Sequence, residues 1–215
     1  MLLGFVKLSS LIKNIRHLKR SDVRKAINKK IREFRSIGKR NSKELFKELC
    51  FCILTANFNA ERSIKIQKEI GNGFITLPKK KLEKRLRRLG HRFPKTRAEY
   101  IANARRFLHS LREIVNSFDD EYSAREWIVK NIKGLGYKEA SHFLRNIGFK
   151  NLAIIDFHII DLLAKNKLIK RPKTLTKRRY LEIENILKKI GKKLNLSLAE
   201  LDLYLWYMET GKVLK

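Results

Sequence analysis

Apolar residues recur along most of the chain at the three- and four-residue intervals of an α-helix, and alternation of apolar and polar positions is scarce. From Ser42 to Ala56, the residues Leu45, Phe46, Leu49, Ile53 and Leu54 fall on one face, which predicts a helix with Ser42 as its N-cap. Asn59 is placed to cap a second helix ending near Ile70, where Gly71-Asn72-Gly73 breaks the pattern. Pro78 and Pro94 each precede a basic helical stretch, over 79–89 and 95–115, at the position where a missing N–H costs nothing. Helices follow over 120–131 and, after a tight turn, over 138–147, where Ala140, Phe143, Leu144 and Ile147 form an apolar stripe. Asp156 opens the next, and Lys170-Arg171-Pro172-Lys173 reads as a linker. A long helix after Thr176 is striped by Ile183, Ile186, Leu187, Ile190 and Leu194, and Ser197 caps a last one running to about Glu209. With two amphipathic helices in the first forty residues, the expectation is an all-α protein of about ten or eleven helices.

Composition sharpens this picture. A chain of 215 residues with 43% hydrophobic content can bury a real core, as one domain or two small ones. Its 51 Lys+Arg against 21 Asp+Glu leave a net charge of +30, so the expected partner is a polyanion, DNA or RNA. A surface made lysine-rich for thermal stability would balance lysine with glutamate, and this one does not. No apolar run approaches the ~18 residues of a membrane span, so no membrane partner is expected. The opening Met1–Lys7 is too short, and lacks the flanks, for a signal peptide, and a cytoplasmic, nucleoid-associated protein is expected. Cys50 and Cys52 are too few for a disulfide framework or a four-thiolate site. They lie in the apolar run Leu49–Leu54 and are expected to be buried, inert thiols.

Candidate chemistry concentrates in Ile132-Lys133-Gly134-Leu135-Gly136-Tyr137-Lys138-Glu139-Ala140. Gly134 and Gly136 permit a tight hairpin whose backbone N–H groups, at a helix start, can cradle a phosphate oxygen. An ordinary helix–helix turn would use the same glycines. Lys138 opens the following helix, where the positive end of the helix dipole disfavours an ammonium. Eighteen residues later Asp156 emerges from the apolar run Ala153-Ile154-Ile155. It reads as an N-cap, and a capping carboxylate held ionised and oriented by helix N–H groups can also serve catalysis.

Gly134-x-Gly136-x-Lys138 followed by Asp156 resembles the helix-hairpin-helix DNA glycosylases, with Lys133 standing where that family usually has proline. The segments Glu48–Asn57 and Trp206-Tyr207-Met208-Glu209-Thr210-Gly211-Lys212 are similar to the archaeal-type (type 2) 8-oxoguanine DNA glycosylase/AP lyases, and the resemblance spans about Ser42 to Lys215. It implies a two-lobed all-α fold without an iron–sulfur cluster, with the active site in the inter-lobe cleft. Residues 40–150 would form a helical-barrel lobe that includes the hairpin 132–138, and residues 1–39 plus 151–215 the second lobe. The chain has no cysteine after Asp156, where a cluster would need four. No metal or other cofactor is expected.

The resemblance also implies roles. Lys138 matches the lysine that attacks the sugar C1′ and forms a Schiff base, and Asp156 matches the aspartate that stabilises charge developing on the sugar. Having both implies excision of 8-oxoguanine from double-stranded DNA followed by β-elimination at the abasic site, by a monomeric enzyme. Asn57 occupies the position of a wedge that fills the gap left by the flipped base, with a helix C-cap as the equal alternative. On the last helix Asp202, Trp206 and Glu209 share a face away from Leu198, Leu201 and Leu205, and an aromatic plane there suits base stacking. Phe93, in Gly90-His91-Arg92-Phe93-Pro94, is a candidate for the other side of that sandwich, or a staple against its own helix.

Lys215 matches the terminal residue implicated in separating 8-oxoguanine from guanine, whose N7 atoms are a donor and an acceptor respectively. His142 is expected to face the base pocket or lie on the helix surface, and His158 to contact a DNA phosphate. Lys79 to Lys81, Arg85, Arg87, Arg88, Arg92, Lys95, Arg97, Arg105 and Arg106 form the expected electrostatic footprint. Two other readings remain: an endonuclease III-like glycosylase for other oxidised bases, and a non-catalytic hairpin protein that only grips nucleic acid.

Overall fold

The computed structural model describes residues 2–215, with side chains from Leu8 onward, so the reading of Met1–Lys7 lies largely outside the described residues. In chain order the helices are α1 (Leu2–Leu18), α2 (Asp22–Gly38), α3 (Ser42–Thr55), α4 (Ala60–Ile70), α5 (Gly73–Thr76), α6 (Lys79–Arg88), α7 (Pro94–Ala104), α8 (Leu111–Asn116), α9 (Glu121–Asn131), α10 (Tyr137–Asn146), α11 (Phe157–Lys165), α12 (Lys177–Leu194) and α13 (Leu198–Thr210), with a 3-10 turn at Arg105–Phe107. No described residue is in a strand, and no described helix is long and apolar enough to cross a membrane. The chain divides into two units, Phe34–Gly148 and Met1–Glu33 with Phe149–Lys215.

In the Phe34–Gly148 unit, α3 is the central helix, packed by α4, α5, α7, α8 and α10. Ten of its residues are buried, including both cysteines, so the single apolar face expected from the sequence is in fact burial on nearly every side. That enclosure explains why it tolerates no charged residue beyond its first two turns. Its one buried carboxylate, Glu48, accepts hydrogen bonds from Gln67 (3.0 Å) on α4 and Asn146 (3.3 Å) on α10.

Three local expectations are corrected. The N-cap of α3 is Asn41, whose Oδ1 accepts from the Glu44 N–H, while the Ser42 hydroxyl accepts from Arg112 N–H at the start of α8. The helix expected over 95–115 breaks into α7, the 3-10 turn and α8, although Ile101, Ala104, Leu108, Leu111 and Val115 keep helical spacing and are all buried. Side chains of the turn anchor it elsewhere: Arg105 Nε donates to Phe74 O (2.9 Å), Arg106 to Asn131 O (3.0 Å), and the Phe107 ring meets Trp127 edge-on. With that break and the four-residue α5, the described residues hold thirteen α-helices rather than ten or eleven.

In the other unit α13 packs on α11, α12 and α1. Thr176 and Ser197 cap α12 and α13 through their hydroxyls, the second as the sequence predicts. The stretch 152–155 is buried and non-helical, and its polar groups are met by α12. Glu184 accepts from the Ala153 N–H (2.8 Å), and Tyr180 Oη donates to Ala153 O (2.6 Å) while accepting from the Ile155 N–H (3.3 Å). A buried segment with its own backbone paired in this way has one register, and it fixes where Asp156 emerges.

Candidate active site

The hairpin between α9 and α10 is built on α7. Gly134 has φ +89°, a left-handed conformation that L side chains rarely adopt, and a Cβ there would lie 2.1 Å from the Tyr100 ring. Lys133, at the usual proline position, pairs with Glu99 (3.1 Å) and lies over the same Tyr100 ring, so α7 replaces the rigidity of the missing proline. Leu135 and Ile132 are buried beneath. Substituting Gly134 by alanine is expected to cost about 1–3 kcal/mol of stability, measurable by denaturation. Unchanged stability would show that the hairpin relaxes around the added methyl group.

Gly136 is the N-cap of α10, and its N–H donates to Glu139 Oε2 (3.3 Å). One of the outward N–H groups expected of the hairpin is therefore already occupied. Lys138, the second residue of α10, has a side chain one-quarter exposed, and its Nζ pairs with Glu139 Oε1 (3.2 Å). Glu139 thus holds both the hairpin backbone and the lysine. Tyr137, just before it, hydrogen-bonds Glu126 and lies under the Arg125 guanidinium, which fixes the start of α10 from α9.

Asp156 belongs to the other unit. It is the N-cap of α11 in extended conformation, and its Oδ1 accepts from the Ile159 N–H (3.0 Å). One carboxylate oxygen is engaged by the helix it starts; the side chain remains partly exposed. Next to it Phe157 is 69% exposed. His158 is also exposed, with its ring edge-on to Trp206 at 5.5 Å. Trp206 is half-buried, and its indole N–H is shielded from solvent and finds no acceptor among the described residues. Such an orphan donor costs about 1–3 kcal/mol and marks a place where a ligand acceptor would be welcome. Asp202 and Lys215 are likewise half-buried, and Glu209 is exposed.

The remaining site residues lie in the hairpin's unit. Asn57 follows α3, is exposed, and has φ +55°, the left-handed conformation that asparagine tolerates better than most residues. Phe93 is half-buried between two guanidiniums, Arg92 at 5.0 Å and Arg97 at 5.5 Å from its ring centre. It meets its own helix through the Arg97 guanidinium, a cation–π contact. His142 is buried against the Phe51 ring of α3, so its helix-surface alternative is excluded.

Arg97 and Arg105 leave the predicted electrostatic footprint. Arg97 is 6% exposed and donates to Ala56 O, and Arg105 is held by Phe74 O. His91, Tyr100 and Glu139 are contributors to which the sequence reading gave no role, and Arg97 is one to which it gave a surface role. Only Glu139 had a local signal, its place three residues after the cap.

A hairpin of two glycines presenting a lysine at a helix start, with a separate capping aspartate in an all-helical chain, defines the helix-hairpin-helix class of DNA glycosylases. Residues 27–196 match the 8-oxoguanine DNA glycosylase family. The chain is 60% identical over 206 residues to the 8-oxoguanine DNA glycosylase/AP lyase of Methanocaldococcus jannaschii, covering 95% of this chain and 99% of that one. The corresponding identity to the Korarchaeum cryptofilum protein of the same description is 54%, covering 95% and 98%. The crystal structure of the M. jannaschii 8-oxoguanine glycosylase/lyase with a 15mer DNA containing 8-oxoguanine superposes with a TM-score of 0.94 at 59% identity, covering 96% and 100% of the two chains. The chain belongs to the 8-oxoguanine DNA glycosylase family and, with it, to the DNA N-glycosylase/AP lyases.

Proposed function

We propose that this protein binds duplex DNA, flips out 8-oxoguanine, excises it through a covalent bond to Lys138, and then cleaves the strand by β-elimination. The observation that carries this reading is the placement of Lys138 at the start of α10 on a phosphate-type hairpin, in a chain so similar along its length to a glycosylase/lyase. The neutral lysine amine attacks C1′, a C–N bond forms, and the glycosidic bond breaks as the base departs with a proton. Ring opening gives an iminium, loss of a C2′ proton breaks the C3′–O bond, and the 3′ strand is released. The Glu139 carboxylate, 3.2 Å from Nζ, is placed to accept the ammonium's proton before attack. Asp156 stabilises positive charge developing on the sugar.

The hairpin of Gly134 and Gly136, through the backbone N–H groups that Glu139 leaves free, engages phosphates together with His158, and Asn57 fills the vacated stack. Trp206 and Phe93 are assigned to stacking on the flipped base, and Asp202, His142 and Lys215 to recognising it. The orphan indole N–H of Trp206 supports its part in this, because a bound base or its phosphate offers acceptors. Abasic DNA is the second substrate. A net charge of +30 opposes self-association, so the enzyme acts as a monomer.

Borohydride trapping tests the core of this reading. A duplex with one 8-oxoguanine should yield a covalent protein–DNA adduct, and undamaged and thymine-glycol duplexes should not. Tight binding without any adduct would leave only a nucleic-acid-binding role. The pocket is tested separately: Trp206→Ala, or removal of Lys215, should lower 8-oxoguanine excision about tenfold or more while sparing cleavage of a preformed abasic site. Equal losses on both substrates would sink the pocket assignment.

A further inference from the structure

His91 opens the loop before α7, is 4% exposed, and touches two other parts of its unit. The Phe93 N–H donates to its Nδ1 (3.0 Å), and its Nε2 lies 3.0 Å from the carbonyl oxygen of Leu54. An N–H needs an acceptor and a carbonyl needs a donor, so the two contacts together specify one species: neutral imidazole with its proton on Nε2. The ring also lies against Phe58, at 4.2 Å between centres, directly after Asn57. Arg97 reinforces the same junction by donating to Ala56 O with its guanidinium over Phe93, and Arg62 of α4 does so by donating to Gly90 O (2.9 Å) with its guanidinium over Phe58. One ring therefore ties the end of α3, which presents Asn57, to the loop that presents Phe93.

We infer that His91 is a positioning residue for base extrusion: in its neutral Nε2–H form it holds Asn57 and Phe93 in register, so that filling the stack and receiving the base are coupled. This rests on the roles proposed above for Asn57 and Phe93. Protonation puts a hydrogen on Nδ1 facing the Phe93 N–H, which breaks that link and releases the loop. The charged groups that act on the ring are Arg97 of α7 and Arg62 of α4, both cations, while α3 offers the Leu54 carbonyl. Burial first, and then these two cations, push the imidazole below its ordinary value of 6.5 and outweigh the opposing Leu54 hydrogen bond. The neutral form therefore prevails at neutral pH and is lost only as the pH falls below that value.

The readout is the ratio of 8-oxoguanine excision to cleavage of a preformed abasic site. An abasic nucleotide has no base to stack and leaves the helix easily, so the second reaction bypasses the coupling. Any condition that slows attack by Lys138 acts on both reactions and cancels in the ratio. Asn keeps an acceptor near Nδ1 and Gln a donor near Nε2, so His91→Asn and His91→Gln each retain one contact. Both variants are expected to lower the ratio about tenfold at neutral pH, whereas a merely structural loss would reduce both activities alike. In the wild type the ratio should fall as the pH drops below the ordinary imidazole value of 6.5, and in the variants it should stay flat. If the variants fail to fold, the wild-type profile decides. An unchanged ratio in folded variants, or a wild-type ratio that stays flat in acid for as long as the protein remains folded, overturns the role of His91 while leaving excision itself intact. Absence of any 8-oxoguanine excision by the wild type overturns both this role and the function on which it rests.

Discussion

Replacing Lys138 by glutamine is expected to abolish strand cleavage and the borohydride adduct, with losses of about 10³-fold or more, while duplex binding stays within about threefold of the wild type. Glutamine is one atom shorter than lysine but keeps most of its packing, and it has no amine to attack C1′. The side chain is one-quarter exposed and its only described ion pair is with the adjacent Glu139, so its removal should barely change stability. Gly134, Gly136 and the buried Leu135 and Ile132 are untouched by the change, which is why the grip on DNA should survive. Gel-based single-turnover cleavage and titration on the same duplex separate the two effects. Wild-type cleavage by the variant would show that the nucleophile lies elsewhere.

Asp156→Asn should lower excision by about 10²–10⁴-fold and leave stability within about 0.5 kcal/mol. Asparagine caps a helix as well as aspartate does, so the bond to the Ile159 N–H is kept while the negative charge is lost. Asp156→Ala removes both, and should add a stability loss of about 1 kcal/mol. The pair of variants separates the two readings that the sequence leaves open at this position. If excision in the asparagine variant were unimpaired, Asp156 would be a cap and nothing more.

Much of this was legible in the chain because the signals are local. Asn59, Asp156, Thr176 and Ser197 each bond to an N–H three residues ahead, so cap and helix are written in the same few positions. The hairpin is equally local, since Gly134 needs its left-handed φ wherever the rest of the chain goes. That hairpin with Lys138 and Asp156 carried the resemblance to the helix-hairpin-helix glycosylases, and the segments Glu48–Asn57 and Trp206–Lys212 narrowed it to the 8-oxoguanine family.

What escaped the sequence depends on partners far along the chain. Arg97 looked like a solvated charge on a basic surface, yet its partner is a carbonyl 41 residues away. His91 meets its carbonyl at a separation of 37 residues, and the Ala153 N–H finds Glu184 at 31. The break after Ala104 has no glycine or proline to announce it, because Arg105, Arg106 and Phe107 are drawn to α5 and α9. The sequence by itself determined most of the helices and caps and the hairpin, through periodicity and contacts within about four residues, and the positive charge through composition; the two residues proposed for the chemistry followed from the family resemblance. Only the tertiary structure decided which polar side chains go inside: each buried donor or acceptor must be matched, and the match is set by whatever the fold brings to it.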